Sequence, residues 1–385
     1  MKRVFLIVLD SLGIGDARDA AAFGDEGAHT LRGLHSTGRL NIPNLLELGM
    51  GNIDGLEFLG GTETPTASVA RVCEASMGKD TTIGHWEIAG HVSETPLPTF
   101  PEGFPKELLD RLSERIGRGI LCNRPYSGTA VLQDYGEEHL RTGNVIVYTS
   151  ADSVLQIAAH TDIVSVEELY SMCETARELA EGKWGVGRVI ARPFSGNAPD
   201  FYRTADRRDF SLEPPAGLLP DVLREAGIAT VSVGKIIDIF AGRGFDRAIR
   251  THSNEEGMAA VSSLVKESFT GFCFVNLVDF DMLWGHRRDP VGYTEGLNAF
   301  DAWLGDFIAE LSEDDALIIT ADHGCDPTDK RTTDHTRENV PCIIYSKSLA
   351  PKALGGRNSF ADMGATAAQL LGVRFECDGE AIDLS

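Results

Sequence analysis

The 385-residue sequence is poor in basic residues. It has 35 lysines and arginines against 58 aspartates and glutamates, a formal net charge of −23 at pH 7. Such a charge repels polyphosphate backbones and anionic lipid surfaces. We therefore expect neither nucleic acid nor a membrane as a partner. An anionic substrate would need cations concentrated locally, either metal ions or clustered basic side chains.

The sequence also lacks a C-x-x-C pair and an apolar run long enough to cross a bilayer. Its seven cysteines are odd in number and widely scattered, which is typical of buried thiols in a reducing compartment. The apolar run after Lys2 and Arg3 stops at Asp10 without a small-residue cleavage site, so it does not indicate a signal peptide. We expect a folded, cytoplasmic protein.

Short apolar runs rich in Val, Ile and Phe indicate buried strands. They cover residues 4–9, 145–148, 228–233, 272–278 and 316–320. Uninterrupted apolar strands are typical of parallel sheets that are covered on both faces, and amphipathic helices lie between these runs. The sequence therefore predicts an α/β sandwich. A capping box from Ser165 to Glu168 predicts the start of one further helix.

Two proline-rich stretches, residues 96–105 and 193–215, enclose a segment with strands and helices of its own. The residues that suggest chemistry fall before the first stretch and after the second. A chain of this length also favours two domains over one. We predict a discontinuous metal-binding catalytic core, residues 1–99 and 216–385, with an inserted α+β cap domain at residues 100–215.

Three aspartates follow three of the predicted strands: Asp10, Asp281 and Asp322. Ligands of open α/β sheets bind outside the carboxyl ends of the strands, so these carboxylates are expected to converge. Clustered carboxylates repel one another and shift toward the neutral form unless cations neutralise them. The pattern predicts bound metal or a set of basic partners.

Three histidines, His286, His323 and His335, lie near these aspartates in the sequence. Mixed carboxylate and imidazole ligands suit manganese or zinc better than calcium. Three carboxylates and three imidazoles are enough ligands for two ions that share a substrate phosphate and a nucleophile. A single ion would need fewer ligands. A single aspartate usually caps a helix, and a single histidine is usually a hydrogen-bonded polar residue without a function. These structural roles do not explain three aspartates and three histidines placed together.

The glycine-bounded turn at residues 78–84 is able to present a nucleophile. A threonine hydroxyl is a poor nucleophile at neutral pH, but a dication would stabilise its alkoxide, and we assign this role to Thr81. The alternative is that Thr81 or Thr82 only caps a helix. The turn is not a Walker A loop, because Asp80 follows Lys79 where Ser or Thr is required.

Longer strings place these residues in a known pattern. They are VLDSLGIG (8–15), GKDTTIGHWE (78–87), YTSADSVLQIAAH (148–160), VGRVIARP (186–193), DFDMLWGHRRD (279–289) and TADHG (320–324). In them the chain resembles the phosphopentomutase family of the alkaline phosphatase superfamily. The ADHG element is shared by the superfamily, whereas the GHWE and GHRRD strings are specific to this branch.

The resemblance implies an alkaline-phosphatase-like sandwich core with two manganese ions. One ion would be held by Asp10, Asp322 and His323, and the other by Asp281, His286 and His335. Thr81 would carry the phosphoryl group. The implied substrate contacts are Ser150, Asp152, Arg188 and Arg203 in the cap domain and Lys235 in the core.

The implied reaction interconverts ribose 1-phosphate or deoxyribose 1-phosphate with the corresponding 5-phosphate. It would proceed through phosphothreonine and a pentose bisphosphate, with activation by ribose 1,5-bisphosphate or glucose 1,6-bisphosphate. No obligate protein partner is expected. The chain departs from the family pattern at Ile83 and Cys325, where Thr and Asn are common. Ile83 removes a rival nucleophile, and Cys325 alters the surroundings of the ligands.

Three alternatives remain open at this point. A phosphomonoesterase or sulfatase would use the same metal core and let water attack the enzyme adduct. A cofactor-independent phosphoglycerate mutase would use serine as its nucleophile, which the turn around Thr81 disfavours. A metal-storage or sugar-binding protein would leave Thr81 without a role.

Overall fold

The apolar runs of the sequence form the central strands of the protein. The computed structural model describes residues 1–150 and 152–385, whose contacts divide them into two units: residues 1–95 with 214–385, and residues 96–213. The strands of this part of the chain are β1 (Arg3–Leu9), β2 (Ser68–Val72), β3 (Ile120–Pro125), β4 (Val145–Thr149), β5 (Val154–His160), β6 (Arg188–Ser195), β7 (Tyr202–Arg203), β8 (Arg208–Ser211), β9 (Ala229–Val233), β10 (Arg247–Ile249), β11 (Gly271–Leu277), β12 (Asp315–Thr320), β13 (Val340–Tyr345) and β14 (Ala353–Arg357).

Helices separate most of these strands. They are α1 (Ala20–Phe23), α2 (Thr30–His35), α3 (Pro43–Leu48), α4 (Thr81–Ile88), α5 (Lys106–Ile116), α6 (Ala130–Thr142), α7 (Val166–Leu179), α8 (Leu219–Glu225), α9 (Ile236–Ile239), α10 (Asn254–Leu264), α11 (Pro290–Glu310) and α12 (Ala361–Leu370). A π-helical turn spans Phe280–Gly285, and short 3-10 helices span Met50–Asn52, Glu57–Leu59 and Gly182–Trp184. None of the helices in the described residues is both apolar and long enough to span a bilayer.

The first unit contains an eight-stranded sheet in the order β10-β9-β11-β1-β12-β13-β2-β14. The five strands from β10 to β12 run parallel, as the uninterrupted apolar runs predict. Strand β13 is antiparallel to both of its neighbours, so the sheet as a whole is mixed. Both faces of β1 are covered, since residues 4–9 are at most 1% exposed.

The register of the parallel strands fixes where the carboxylates lie. Leu9 at the end of β1 pairs with Leu277 at the end of β11, and Val8 pairs with Thr320 at the end of β12. Continuing this register by two residues brings Asp10 level with Asp322. The strand ends therefore bring together residues that are more than 300 positions apart in the chain.

The second unit contains a six-stranded sheet in the order β3-β4-β5-β6-β7, with β8 paired to β6. Alternate residues of β4 face two apolar clusters: Val145 and Val147 pack in one, Ile146 and Tyr148 in the other. Strand β4 is parallel to β3 but antiparallel to β5, so the expectation of parallel neighbours is wrong on one side of this strand.

The unit boundaries fall at 95/96 and 213/214, next to Pro96 and Pro214. The boundaries predicted from the sequence are 99/100 and 215/216. The assignment of the units as catalytic core and cap remains a prediction.

The capping box at the start of α7 forms only in part. The Ser165 hydroxyl accepts a hydrogen bond from the Glu168 amide at 3.1 Å, as predicted. The Glu168 carboxylate is instead paired with Arg118 at 2.9 Å. Tertiary charge pairing has replaced the second half of the motif.

Replacing Gly84 by alanine is expected to destabilise the first unit. Gly84 lies in α4 against the backbone of Asp322, and an added Cβ would overlap the Asp322 carbonyl oxygen. We expect a loss of about 1–3 kcal/mol in the free energy of unfolding, measured by urea titration. Gly356→Ala is the matched control because the space beside Gly356 is open. Equal stability of the two variants would contradict the close packing of α4 on this strand end.

Candidate metal centre

Asp10 lies in a strained turn at the end of β1. The next residue, Ser11, has a φ of 70°, a conformation that non-glycine residues rarely adopt outside functional sites. The turn aims the Ser11 amide at the Asp322 carboxylate, which accepts its hydrogen bond at 3.1 Å. Oδ2 of Asp10 accepts a hydrogen bond from the Asn276 side chain at 3.0 Å.

Asp281 is positioned by the π-helical turn that follows β11. Such turns are rare and occur frequently at functional sites. The turn carries Asp281 near its start and ends just before His286, so both side chains come from one short segment. This irregular backbone is the structural reason why Asp281 lies four residues beyond the strand end while Asp10 follows its strand directly.

Each of the three carboxylates has a buried oxygen that makes no hydrogen bond in the described part of the chain, although an imidazole nitrogen lies 3.2 to 3.5 Å from each. These oxygens are Oδ1 of Asp10, Oδ1 of Asp281 and Oδ2 of Asp322. An ionised carboxylate costs several kcal/mol to bury unless cations or donors compensate it. The orphaned oxygens therefore fit a group that binds divalent cations.

The three histidines are oriented by backbone carbonyls. Nδ1 of His286 donates to the Thr333 carbonyl at 2.7 Å, that of His323 to Gly324 at 3.0 Å, and that of His335 to Lys79 at 3.0 Å. A carbonyl oxygen only accepts, so each Nδ1 carries a hydrogen and leaves Nε2 as the ligand atom. Metal-binding histidines commonly show this arrangement.

The six side chains lie in two adjoining groups. In the first, Nε2 of His323 is 3.5 Å from Asp10 Oδ1 and 3.2 Å from Asp322 Oδ2. In the second, Nε2 of His286 and of His335 lie 3.3 and 3.4 Å from Asp281 carboxylate oxygens and 3.1 Å from each other. The rings of His323 and His335 stack with centroids 3.8 Å apart, which joins the groups. The structure thus brings all six predicted ligands together.

The carboxylates and imidazoles shift one another's pKa values. Burial and the Asp322 charge raise the pKa of Asp10 to about 6. Burial disfavours a charged His323, yet Asp322 raises its pKa to about 10. Burial likewise opposes charge on His286, but its hydrogen bond to Asp281 raises the pKa to about 12. At neutral pH these imidazoles are protonated while the site holds no metal.

Thr81 is the first residue of α4, and the helix is capped by its predecessor. The Asp80 side chain accepts hydrogen bonds from the amides of Thr82 and Ile83 at 3.0 and 3.1 Å. The alternative that Thr81 or Thr82 is the cap is therefore wrong. The Thr81 hydroxyl is partly exposed and lies 3.2 Å from Nε2 of His323. Ile83 is buried beside Gly78.

The five predicted substrate contacts fall in two places. Lys235 lies in the first unit with Nζ 4.0 Å from Asp10 Oδ2, so the structure brings it to the carboxylate cluster. The other four, Ser150, Asp152, Arg188 and Arg203, lie in the second unit.

Within the second unit, three of these four side chains form a small polar group. The Ser150 hydroxyl accepts a hydrogen bond from the Asp152 amide at 3.3 Å, and Asp152 lies 3.9 Å from Arg188. Arg203 donates to the Tyr148 hydroxyl at 3.4 Å, and its buried Nε has no acceptor within the described residues.

Two residues of the cluster, His85 and Asn276, lie outside the predicted set, and Cys325, which was predicted only to alter the surroundings of the ligands, joins them. His85 lies 3.2 Å from Asp322 Oδ2, Asn276 binds Asp10, and Cys325 is grouped with Asp281 and His286. A signal existed for two of them. Asn276 is a lone polar residue inside a buried strand, and His85 follows Thr81 by one helical turn.

Comparisons of the sequence with known proteins show the family to which the chain belongs. The profile of the Metalloenzyme superfamily matches residues 2–375. The phosphopentomutase of Lachnoclostridium phytofermentans is 53% identical over 99% of this chain and 98% of its own length. That of Caldanaerobacter subterraneus subsp. tengcongensis is 50% identical over 97% of this chain and 95% of its own length. The chain belongs to the phosphopentomutase family.

Membership in the phosphopentomutase family confirms several expectations. The protein is an enzyme of the mutase class, so the metal-storage and sugar-binding alternatives are excluded. The α/β core is the predicted alkaline-phosphatase-like sandwich. The PH0037 protein of Pyrococcus horikoshii has a similar fold, with a TM-score of 0.50 at 14% identity over 97% of this chain and 98% of that one. The superfamily and the clustered ligands together indicate divalent metals.

Adding a divalent metal to this phosphopentomutase-family member in its metal-free form at pH 7 should release about two protons per chain. The reason is that ligation requires neutral His286 and His323, whose raised pKa values keep both protonated beforehand. Calorimetric titration in buffers of different ionisation enthalpy measures the number of protons released per chain. Affinity should rise with pH and keep rising beyond about 10, because protons compete with the metal below the pKa values of His323 and His286.

Asp281→Asn should reduce this proton release by about one, since His286 loses the carboxylate that raises its pKa. His91→Gln is the control, because His91 is a surface residue paired with Asp378. Unchanged proton release in Asp281→Asn would contradict the assigned charge states.

Proposed function

We propose that the enzyme interconverts ribose 1-phosphate or deoxyribose 1-phosphate with the corresponding 5-phosphate, through a phosphothreonine at Thr81 and a pentose bisphosphate. The observation that carries this proposal is the 3.2 Å contact between the Thr81 hydroxyl and Nε2 of His323. It puts a partly exposed hydroxyl at the start of α4 against the buried cluster of predicted ligands. The names of the relatives support the pentose substrate.

We further propose that the cluster holds two manganese ions. Asp10, Asp322 and His323 would hold one ion, and Asp281, His286 and His335 the other. Carboxylate and imidazole donors suit manganese. Bound there, the ions would neutralise charge on the phosphoryl oxygens and favour the ionised form of the attacking hydroxyl.

Helix α4 would assist by fixing the backbone of Thr81 at its amino terminus, where the helix carries a partial positive charge. The first amides of a helix lack internal partners and carry a partial positive charge, so they favour an anion on the first residue. Asp80 already satisfies the amides of Thr82 and Ile83, which holds the turn in one conformation. Thr81 is therefore presented with a fixed backbone, which is the geometry that phosphoryl transfer depends on.

The proposed cycle conserves one phosphoryl group on the enzyme. The bond between phosphorus and the Thr81 oxygen breaks as a hydroxyl of the pentose phosphate takes the group, and the donated proton of that hydroxyl leaves to a nearby base. The bisphosphate then reorients and returns its other phosphoryl group to Thr81. Loss of the bisphosphate leaves Thr81 bare, and ribose 1,5-bisphosphate or glucose 1,6-bisphosphate would recharge it.

A mutase must keep water from the phosphothreonine while the bisphosphate reorients. We assign this role to the second unit acting as a cap, with Arg188 and Arg203 holding the distal phosphate and Ser150 and Asp152 contacting the sugar. Arg203 is suited to this role because its buried Nε lacks an acceptor among the residues described. Lys235 would contact the substrate from the metal cluster.

Exposure of the enzyme to a sugar bisphosphate should place the phosphoryl group on Thr81. Mass-spectrometric peptide mapping is expected to find the adduct in the unmodified enzyme and in Thr82→Val, and to lose it in Thr81→Val. Thr82 is the matched control because it is the neighbouring hydroxyl and is 7% exposed. An adduct only on Thr82 or Ser11 would show that the nucleophile is misassigned.

Measuring product formation from ribose 1-phosphate with added manganese tests the reaction itself. The Arg203→Ala variant distinguishes a mutase from a phosphatase. Loss of a charged contact to phosphate, worth about 1.5–3 kcal/mol, should slow isomerisation by roughly 10–100-fold. The rate of phosphate release should fall less than the rate of isomerisation, because the bisphosphate intermediate escapes before it reorients. For the same reason, isomerisation should depend more steeply on added bisphosphate.

The control for Arg203→Ala is Arg208→Ala. Arg208 belongs to the same unit but is exposed and stacks on Tyr170 and Phe210. Equal loss of both activities in Arg203→Ala, or rapid phosphate release from ribose 5-phosphate by the unmodified enzyme, would favour the phosphatase alternative.

A further inference from the structure

Cys325 lies inside the cluster that the six predicted ligands form. Its sulfur, a carboxylate oxygen of Asp281 and a ring nitrogen of His286 all lie within 4.8 Å of one another. Cys325 is 1% exposed, so water does not compete freely for this position. Its sulfur contacts the Asp334 carbonyl at 3.6 Å and interacts with the His286 side chain, so it faces a predicted ligand.

The backbone holds Cys325 in this place from both sides. Its amide donates to the Thr30 hydroxyl at 3.2 Å. The preceding residue, Gly324, exchanges two backbone hydrogen bonds with Thr336, at 3.0 and 2.8 Å, and Thr336 directly follows His335. The sulfur and the His335 ring are therefore fixed relative to each other by a short bridge.

The orphaned oxygen of Asp281 is a second, independent sign of a ligand here. Oδ1 of Asp281 is buried and has no hydrogen-bond donor in the described residues, although His335 lies 3.4 Å away. Asp281, His286 and His335 supply three donors, and the sulfur supplies a fourth. Four protein donors complete the tetrahedral shell of a closed zinc site, whereas a catalytic zinc site keeps one position open.

We propose that Cys325 acts as a fourth ligand, beside Asp281, His286 and His335, for thiophilic cations such as Zn²⁺. Mn²⁺ would bind the same group without contacting the sulfur. The thiol proton leaves to solvent as the metal–sulfur bond forms. Thiolates select soft and borderline ions, while manganese prefers oxygen and imidazole donors. Zinc would thus be captured in a closed site, and manganese would leave a position open for the substrate phosphate.

This inference rests on the proposed metal centre, and X-ray absorption at the zinc edge tests it without turnover. Zinc-loaded unmodified enzyme should show a sulfur scatterer at about 2.3 Å, which Cys325→Ser removes. Cys273→Ser is the matched control, since Cys273 is a fully buried thiol near the other end of β11. It should retain the sulfur signal.

Titration of the metal-free proteins with each metal gives the second readout. Cys325→Ser should weaken zinc binding at least tenfold and leave manganese binding unchanged, and Cys273→Ser should change neither. Zinc should also inhibit the manganese enzyme less in Cys325→Ser.

The failures of the two proposals are distinguishable. An unmodified enzyme that binds neither metal would overturn the metal centre, and this inference with it. Bound zinc without sulfur scattering in the unmodified enzyme would overturn the inference alone, and this measurement decides even if Cys325→Ser does not fold. Equal losses of zinc and manganese affinity in Cys325→Ser would also overturn it.

Discussion

The structure depends on one electrostatic constraint: three carboxylates share a buried site at the carboxyl ends of adjacent parallel strands. Register alone brings Asp10 and Asp322 level, and the π-helical turn adds Asp281. Such a group is stable only with compensating cations. Protonated imidazoles supply the compensation in the metal-free protein, since His286 and His323 have raised pKa values. In the proposed metal centre the same imidazoles would become neutral ligands, so one set of residues would satisfy both states.

The segment 335–338 connects this site to the turn that carries Thr81, the proposed nucleophile. His335 contacts Asp281, and two residues later Arg337 is buried among carboxylates, with its guanidinium donating to Glu74 and to the Gly78 carbonyl. The Gly78 contact fixes the start of the turn that presents Thr81. His335 and Arg337 thus contact the carboxylate site and the turn that carries Thr81, so displacement of either would disturb the other.

The sequence predicted the site better than its surroundings. The aspartates could be placed because uninterrupted apolar runs reveal strand ends, and strand ends converge in parallel sheets. The orientation of the histidines could not be predicted, because their partners are backbone carbonyls of Lys79, Gly324 and Thr333, which carry no side-chain signature. Cys325 could be placed near the ligands, but its grouping with Asp281 and His286 could not be predicted, because it depends on the backbone bridge between Gly324 and Thr336. The mixed strand directions in the sheet of the second unit could not be predicted, because a buried antiparallel strand is as apolar as a parallel one.

The acidic composition and an anionic substrate are reconciled by where the charges lie. With a net charge of −23, the surface as a whole repels a sugar phosphate. Inside the proposed site, three carboxylates bring three negative charges, two divalent ions would bring four positive ones, and Lys235 stands 4.0 Å from Asp10. Counting protonated His286 and His323 together with Lys235, the metal-free site is close to neutral, and it would become positive with both proposed ions bound. Without the ions the site would offer buried carboxylate oxygens to an incoming phosphate, so we expect metal binding to precede productive substrate binding.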